Sequence, residues 1–270
     1  MTDLQQKEMS AAIIEKAVDL GASLAGIANV EDLKNAPSYV FAPKLPKGDS
    51  VANRESDMGL QPGEVAWPEG GKSALIVAVE HPEDKPELDW WENRKATPGN
   101  TIMVKIIDQM CSWVEENYRV KAYHIVYHVE KGGIYLKDAA VFAGLGIIGK
   151  NNLLITPKYG PRVRLRAMII TEDLPSTGTI SFDPCTDCDI SCRKVCHPNA
   201  LENKIFTEEQ YGQEILPGID GSYDRDKCNI QMEADLRKAT PVAVEGEDEP
   251  TIHVKYCRAC EIDCPVGKKN

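Results

Sequence analysis

Positive charge is in short supply in this sequence: 31 Lys and Arg stand against 42 Asp and Glu in 270 residues, a formal net charge of −11. Surfaces that bind phosphate need clustered Lys and Arg, so nucleic acid and anionic lipid fall outside the expected partners. No run of about 20 apolar residues occurs, the minimum for a membrane-spanning helix. The opening MTDLQQKEMSAAIIEKAVDL has neither an apolar signal-peptide core nor a twin-arginine pair. The sequence therefore predicts a cytoplasmic protein. Cysteine is almost missing from the first 183 residues, where Cys111 stands alone, and the other eight of nine follow Asp183. Crowding at short spacing in a chain without an export signal argues against disulfides and for metal coordination. There is no solenoid-period repeat and no low-complexity tract, and the acidic EGEDE at 245–249 reads as a solvated loop.

What is present has a mixed pattern. Residues 6–20 put Met9, Ile13, Ile14, Ala17 and Val18 on one helical face, with Gly21 as a stop. SLAGIANV (23–30) and SALIVAVEH (73–81) read as buried strands, separated by a Gly-, Pro- and charge-rich connection from Pro43 to Gly71. A helical stripe follows at 101–117, with Cys111 on it as a buried free thiol, and then a strand-like AYHIVYHV. LKDAAVFA suits a helix, and NLLIT and RLRAMIIT suit strands. The expected organisation is α+β: a mixed domain over 1–175 and a cysteine-rich module over 176–270.

The cysteines carry the strongest chemistry. CTDCDISCRKVCHP supplies Cys185, Cys188, Cys192 and Cys196, and CRACEIDCP supplies Cys257, Cys260 and Cys264. Both open with C-x2-C-x3-C, and Cys228 completes a set of eight, the number two [4Fe-4S] clusters require. In two-cluster ferredoxins the cysteine that leaves the run, often before Pro, ligates the other cluster. That rule assigns Cys185, Cys188, Cys192 and Cys264 to one cluster and Cys196, Cys228, Cys257 and Cys260 to the other. Structural zinc is the alternative, although zinc ribbons separate two compact pairs by a longer spacer. A ferredoxin-like module of this kind takes electrons from a low-potential donor such as ferredoxin or flavodoxin.

AGLGIIGKNN contains both G-x-G-x-x-G and G-x-x-x-x-G-K, but a phosphate loop must follow a strand and open a helix. Here a helical segment precedes and a strand-like one follows, and Asn151 takes the place of the magnesium-binding Ser or Thr. LGASLAGIANVEDL, KDAAVFAGLGIIGKNNLLITPKYGPRVRLRAMIITEDLP and the paired cysteine runs instead resemble, in that order, the epoxyqueuosine reductases and corrinoid-dependent reductive dehalogenases.

The resemblance implies a nitroreductase-like fold for the first domain, a base-off cobalamin held there, and a nearby cluster feeding electrons to cobalt. Gly144, Gly146, Gly149 and Lys150 then become candidate corrinoid-binding residues, since glycine lets backbone approach a flat ring. It also implies an acid at Glu130, where the family usually has Asp, and candidate catalytic roles for Tyr159 and Arg162 in PKYGPR. Two departures bear on the first cluster: a C-x3-C step where the family has C-x2-C, and His197 where Pro usually follows the cysteine. Because the sequence runs only six residues past Cys264 and lacks the family's basic helical-repeat extension, a tRNA substrate is not expected. Two functions follow: a reductase of a small organic substrate acting through a bound corrinoid, or a carrier or activator that passes electrons to a separate enzyme. A regulatory or assembly partner without turnover is a third.

Overall fold

The computed structural model describes residues 1–45, 59–61, 63–92, 96–243 and 250–268. The acidic run at 245–249 and the middle of the connection between Pro43 and Gly71 lie outside the described residues. In chain order the elements are α1 (Asp3–Asp19), β1 (Leu24–Asn29), α2 (Val30–Lys34), α3 (Pro37–Phe41), β2 (Ser73–Glu80), β3 (Trp91–Glu92), α4 (Pro98–Tyr118), β4 (Ala122–His124) and α5 (Leu136–Phe142). They continue with β5 (Ile147–Ile148), β6 (Leu154–Ile155), β7 (Val163–Ile170), α6 (Ser191–Lys194), α7 (Glu208–Tyr211), α8 (Arg225–Arg237), β8 (Thr240–Val242), β9 (Thr251–Val254) and α9 (Ala259–Ile262).

The centre is an antiparallel sheet in the order β1-β2-β7-β4. Side chains alternate across a strand, so Ala74, Ile76 and Ala78 of β2 join Leu165, Ala167 and Ile169 of β7 in one core, against α2 and α5. Leu75, Val77 and Val79 face the other way, with Met168 and Ile170, against α1 and α4. Burial on both faces explains why β2 reads as an unbroken apolar run. Thr2 and Gln5 form a capping box that starts α1 ahead of the predicted residue 6. Thr97 caps α4, and Pro98 opens it three residues before the expected start.

Three expectations need correction. Val18, placed on the buried face of α1, is exposed, and Met9, Ile13 and Ala17 carry that face. AYHIVYHV forms a strand only at Ala122–His124. Beyond it Ile125 N still donates to the Ala167 carbonyl at 3.4 Å, and Tyr127 then lies over the Arg166 guanidinium, 4.1 Å from ring centre to carbon. NLLIT likewise shortens to Leu154–Ile155, paired with β5 in a hairpin whose turn puts Asn152 in the left-handed region.

The C-terminal cysteine loop is joined to this sheet by buried charge. At the end of β2, His81 is fully buried, and its Nδ1 lies 2.9 Å from Asp89 Oδ1. Asp89 also meets Arg164 Nε of β7 at 2.9 Å and Arg258 at 2.8 Å. Arg164 and Arg258 in turn both reach Glu261, at 2.9 and 2.6 Å. Burial alone would raise the Asp89 pKa, but the His81 hydrogen bond and the Arg164 and Arg258 charges outweigh it and hold the carboxyl below its ordinary value.

A depressed carboxylate pKa contributes stability above the ordinary aspartate value and loses it as pH falls. Urea unfolding of the wild type should therefore show this contribution intact above about pH 4 and shrinking below it. Asp89→Asn should abolish that component and cost about 3–5 kcal/mol at pH 7, since it leaves buried guanidinium groups short of an anion. In the sheet itself, a Cβ on Gly26 would lie 2.1 Å from the Ala143 carbonyl oxygen. Gly26→Ala should lose about 1–3 kcal/mol in the same assay through overpacking of β1 against the end of α5.

Candidate functional site: two groups of four thiols

The eight late cysteines come from three stretches of chain. Asp183 starts the first, its Oδ1 accepting from the amides of Cys185 and Thr186 at 3.0 and 3.2 Å. The longer C-x3-C step is taken up by Ile190, which adopts φ 54° ahead of α6, a conformation branched side chains rarely accept. Cys228 sits on α8, which Asp224 caps by accepting from Lys227 N at 3.0 Å. Asp235 of the same helix accepts from Cys257 N at 2.8 Å and so ties α8 to the last cysteine run.

The thiols act on one another within two sets. Burial first, then Cys264, Cys185 and Cys188, push the Cys192 thiol up to about 11. Cys264 is raised by burial, with Cys185 and Cys188 adding to it and Arg162 opposing. In the other set, burial followed by Cys196, Cys257 and Cys228 raises Cys260 far above the ordinary thiol range. Cys257 is raised by burial, and Asp235, Cys228 and Cys196 push in the same direction. So the fold brings Cys185, Cys188, Cys192 and Cys264 together, and separately Cys196, Cys228, Cys257 and Cys260. An enclosed cavity lies on the first set, walled also by Lys150, Asn151, Ile155, Ile190 and Pro265. Among the described residues, no three His, Cys, Asp or Glu side chains converge on a single ion position. Cys111 stands apart on α4, 3.7 Å from Met168 Sδ, its pKa pushed up to about 12 by burial and then by Asp108 and Glu115.

The segment after α5 serves these loops. Lys150 Nζ donates to the Cys185 carbonyl at 2.6 Å, and Asn151 Nδ2 donates to the Cys260 carbonyl at 3.2 Å. Asn151 is thus a wall of the first set's cavity and a hydrogen-bond partner of the second set's loop. The glycines make close packing within the chain possible. A Cβ on Gly144 would lie 2.5 Å from the Gly178 carbonyl oxygen, on Gly146 2.2 Å from that of Ile155, and on Gly149 2.2 Å from Ile155 Cδ1. At each of the three positions a side chain would run into the protein's own atoms, so the absence of a Cβ serves packing within the chain.

Arg162, expected near the chemistry, is 5 % exposed and spends its guanidinium on the last loop. It donates to the carbonyls of Glu261 at 3.3 Å, Cys264 at 3.1 Å, and Val266. Tyr159 is half-buried, its amide bonded to Thr156 Oγ1 at 3.1 Å and its ring 5.0 Å from Lys158 Nζ. Glu130 lies in a short 3-10 turn at Val129–Lys131, its side chain 19 % exposed. One carboxylate oxygen is 3.2 Å from His128 Nδ1, and the other is buried without a hydrogen-bond partner among the described residues. No hydrogen bond or ion pair among the described residues joins Glu130 to Tyr159, Arg162 or the glycine segment. Sequence reasoning missed Asn151, Arg166, and the Arg258–Glu261 pair. The pair's i,i+3 spacing inside the second cysteine run was its only local signal.

No family model matches the chain. It is 26% identical over 208 residues to an epoxyqueuosine reductase of Staphylococcus aureus, covering 73% of this chain and 53% of that protein, about half its length. A second, from Lactococcus garvieae, is 20% identical over 97% of this chain and 70% of its own. Among solved structures, the epoxyqueuosine reductase of Streptococcus thermophilus superposes with a TM-score of 0.62 at 18% identity, over 96% of this chain and 66% of that one. The fold recurs in an epoxyqueuosine reductase bound to a modified tRNA-Tyr stem loop, TM-score 0.58. It recurs too in a reductive dehalogenase whose structure suggests a B12-dependent mechanism, TM-score 0.58 over 32% of that chain. The exclusion of nucleic acid is thereby narrowed: it rests on this chain's charge, and the fold itself is one that holds tRNA in a relative. Among the described residues, no helix is long and apolar enough to cross a membrane. By sequence the chain is similar to epoxyqueuosine reductases, and it shares its fold with solved structures of epoxyqueuosine reductases and of a reductive dehalogenase.

Proposed function

We propose that the chain is an iron-sulfur reductase unit holding two [4Fe-4S] clusters, one on Cys185, Cys188, Cys192 and Cys264 and the other on Cys196, Cys228, Cys257 and Cys260. In this reading residues 176–270 are a ferredoxin-like module and residues 1–175 a nitroreductase-like partner domain. The observation that supports it is the sorting of eight thiols into two crowded, partly buried sets of four. Burial and repulsion from neighbouring thiols oppose ionisation of Cys192 and Cys264 in one set and of Cys257 and Cys260 in the other, and a cationic iron-sulfide core would supply the charge that reverses this. The donor set therefore fits the group. Arg162, Lys150, Asn151 and Ser191, the last donating to the Asp263 carbonyl at 3.1 Å, hold the carbonyls of the ligand loops, and the Ala200 amide lies 3.3 Å from Cys196 Sγ. Amide-to-sulfur contacts of this sort tune cluster potential.

Electrons enter one at a time from a low-potential donor, a ferredoxin or flavodoxin. Kinship with epoxyqueuosine reductases and a fold shared with a B12-dependent dehalogenase support a reductase that completes its chemistry on a small organic molecule. Glu130 is the acid in that reading, on the strength of its unpaired buried oxygen. The second reading is a carrier or activator serving a separate enzyme, in which Gly144, Gly146 and Gly149 serve only the close packing described above.

Protein purified and reconstituted without oxygen should contain about eight irons and eight sulfides per chain. Cys264→Ser should lose iron from the cluster of Cys185, Cys188 and Cys192 and keep the other, as resolved by electron paramagnetic resonance. Stoichiometric zinc, or iron lost from the wrong set, would refute the assignment. A titration with hydroxocobalamin separates the two readings: a base-off spectral change with cobalt retained selects the corrinoid reductase, and no change selects the carrier. Adding a tRNA stem loop in a gel-shift assay should leave mobility unaltered. In whichever reduction is identified, Glu130→Gln should lower turnover by about 10²–10⁴-fold at unchanged iron content. Turnover equal to the wild type would remove Glu130 from the chemistry.

A further inference from the structure

The segment Cys257–Cys264 gives thiols to both sets, and between those thiols it carries two ionic side chains, Arg258, whose side chain is 11 % exposed, and the buried Glu261. Both are turned largely away from solvent, where charged residues in a surface loop normally lie. Glu261 is 4 % exposed, and its carboxylate takes Arg164 at 2.9 Å and Arg258 at 2.6 Å. Arg258 reaches on to Asp89 at 2.8 Å and to the His81 carbonyl at 2.8 Å. Arg162 closes the ring from below through the carbonyls of Glu261 and Cys264. Setting His81 aside, three guanidinium groups (Arg162, Arg164, Arg258) meet two carboxylates (Asp89, Glu261), a surplus of one positive charge beneath the loop shared by both sets.

Buried ion networks are weak sources of stability compared with apolar packing, so their retention calls for another role. Each cluster takes up one electron per reduction, with no bond made or broken, and the added negative charge is felt by nearby fixed charges poorly screened by water. A cation beside the loop favours the reduced state, and an anion opposes it.

We propose that Arg258 and Glu261 are positioning residues that set the reduction potentials of both clusters together, by placing opposed charges on the one loop that ligates both. This rests on the two-cluster reading above, and the experiment keeps the two apart. Reconstituted holoprotein is titrated with dithionite under electron paramagnetic resonance, and iron is assayed in parallel. Glu261→Gln, which removes a negative charge at constant shape, should shift both midpoint potentials upward. Arg258→Gln should shift both downward. The charge-balanced double variant should return them toward the wild type, and Arg258→Lys should restore most of the Arg258→Gln shift. A role confined to structure predicts no such opposition of sign.

Potentials that stay put at full iron content, or that move the same way in both single variants, overturn the proposal. Should a single variant lose iron, recovery in the double variant supports the charge role, and continued loss overturns it. Wild-type protein without iron would instead refute the two-cluster reading on which the proposal stands.

Discussion

The contact on which the site depends is the one between Arg162 and the carbonyls of the Cys257–Cys264 loop. That loop has little secondary structure of its own, only the four residues of α9, so its shape has to be imposed from outside. β7 imposes it. Its first turn delivers Arg162, and two residues on Arg164 meets Glu261, so a strand rooted in the middle of the sheet directs two guanidinium groups into the last cysteine run. Gly160 belongs to the same arrangement, because a Cβ there would lie 2.0 Å from the Val266 carbonyl oxygen. Strand, turn and cysteine loop are therefore one packing unit, and the thiols inherit their positions from the sheet.

Much of this was readable in the chain because the physics was local. The β2 run, the stripe of α4 and the cysteine spacings each declare themselves within a few residues. What could not be read was decided across the sequence. AYHIVYHV has a strand's composition, but its ladder ends early, and Tyr127 lies over the buried Arg166 guanidinium of β7 instead of extending it. The glycines in AGLGIIGK were expected beside a ligand. Their neighbours turned out to be Gly178 and Ile155, contacts that no local pattern encodes. Arg162 was expected in a catalytic role, whereas the partners it has here are loop carbonyls about a hundred positions away, and nothing near PKYGPR identifies them.

The glycine segment also shows why a motif match must be tested by its surroundings. Lys150 and Asn151 stand where a phosphate loop would have its lysine and its magnesium ligand, and both side chains are instead committed to carbonyls of the cysteine loops. The same close backbone approach that would suit a nucleotide or a macrocycle here suits another stretch of protein. Chemistry that depends on polar side chains at a tight turn can thus be redirected without altering the turn.

The grouping of thiols has a bearing on how such a chain matures. The first set draws three members from one short stretch and its fourth, Cys264, from near the other end, while the second set needs three separate stretches. Neither set is complete until the last cysteine run has been made and docked on β7, so the grouping of these thiols is a late event in folding, one that waits on a sheet already formed.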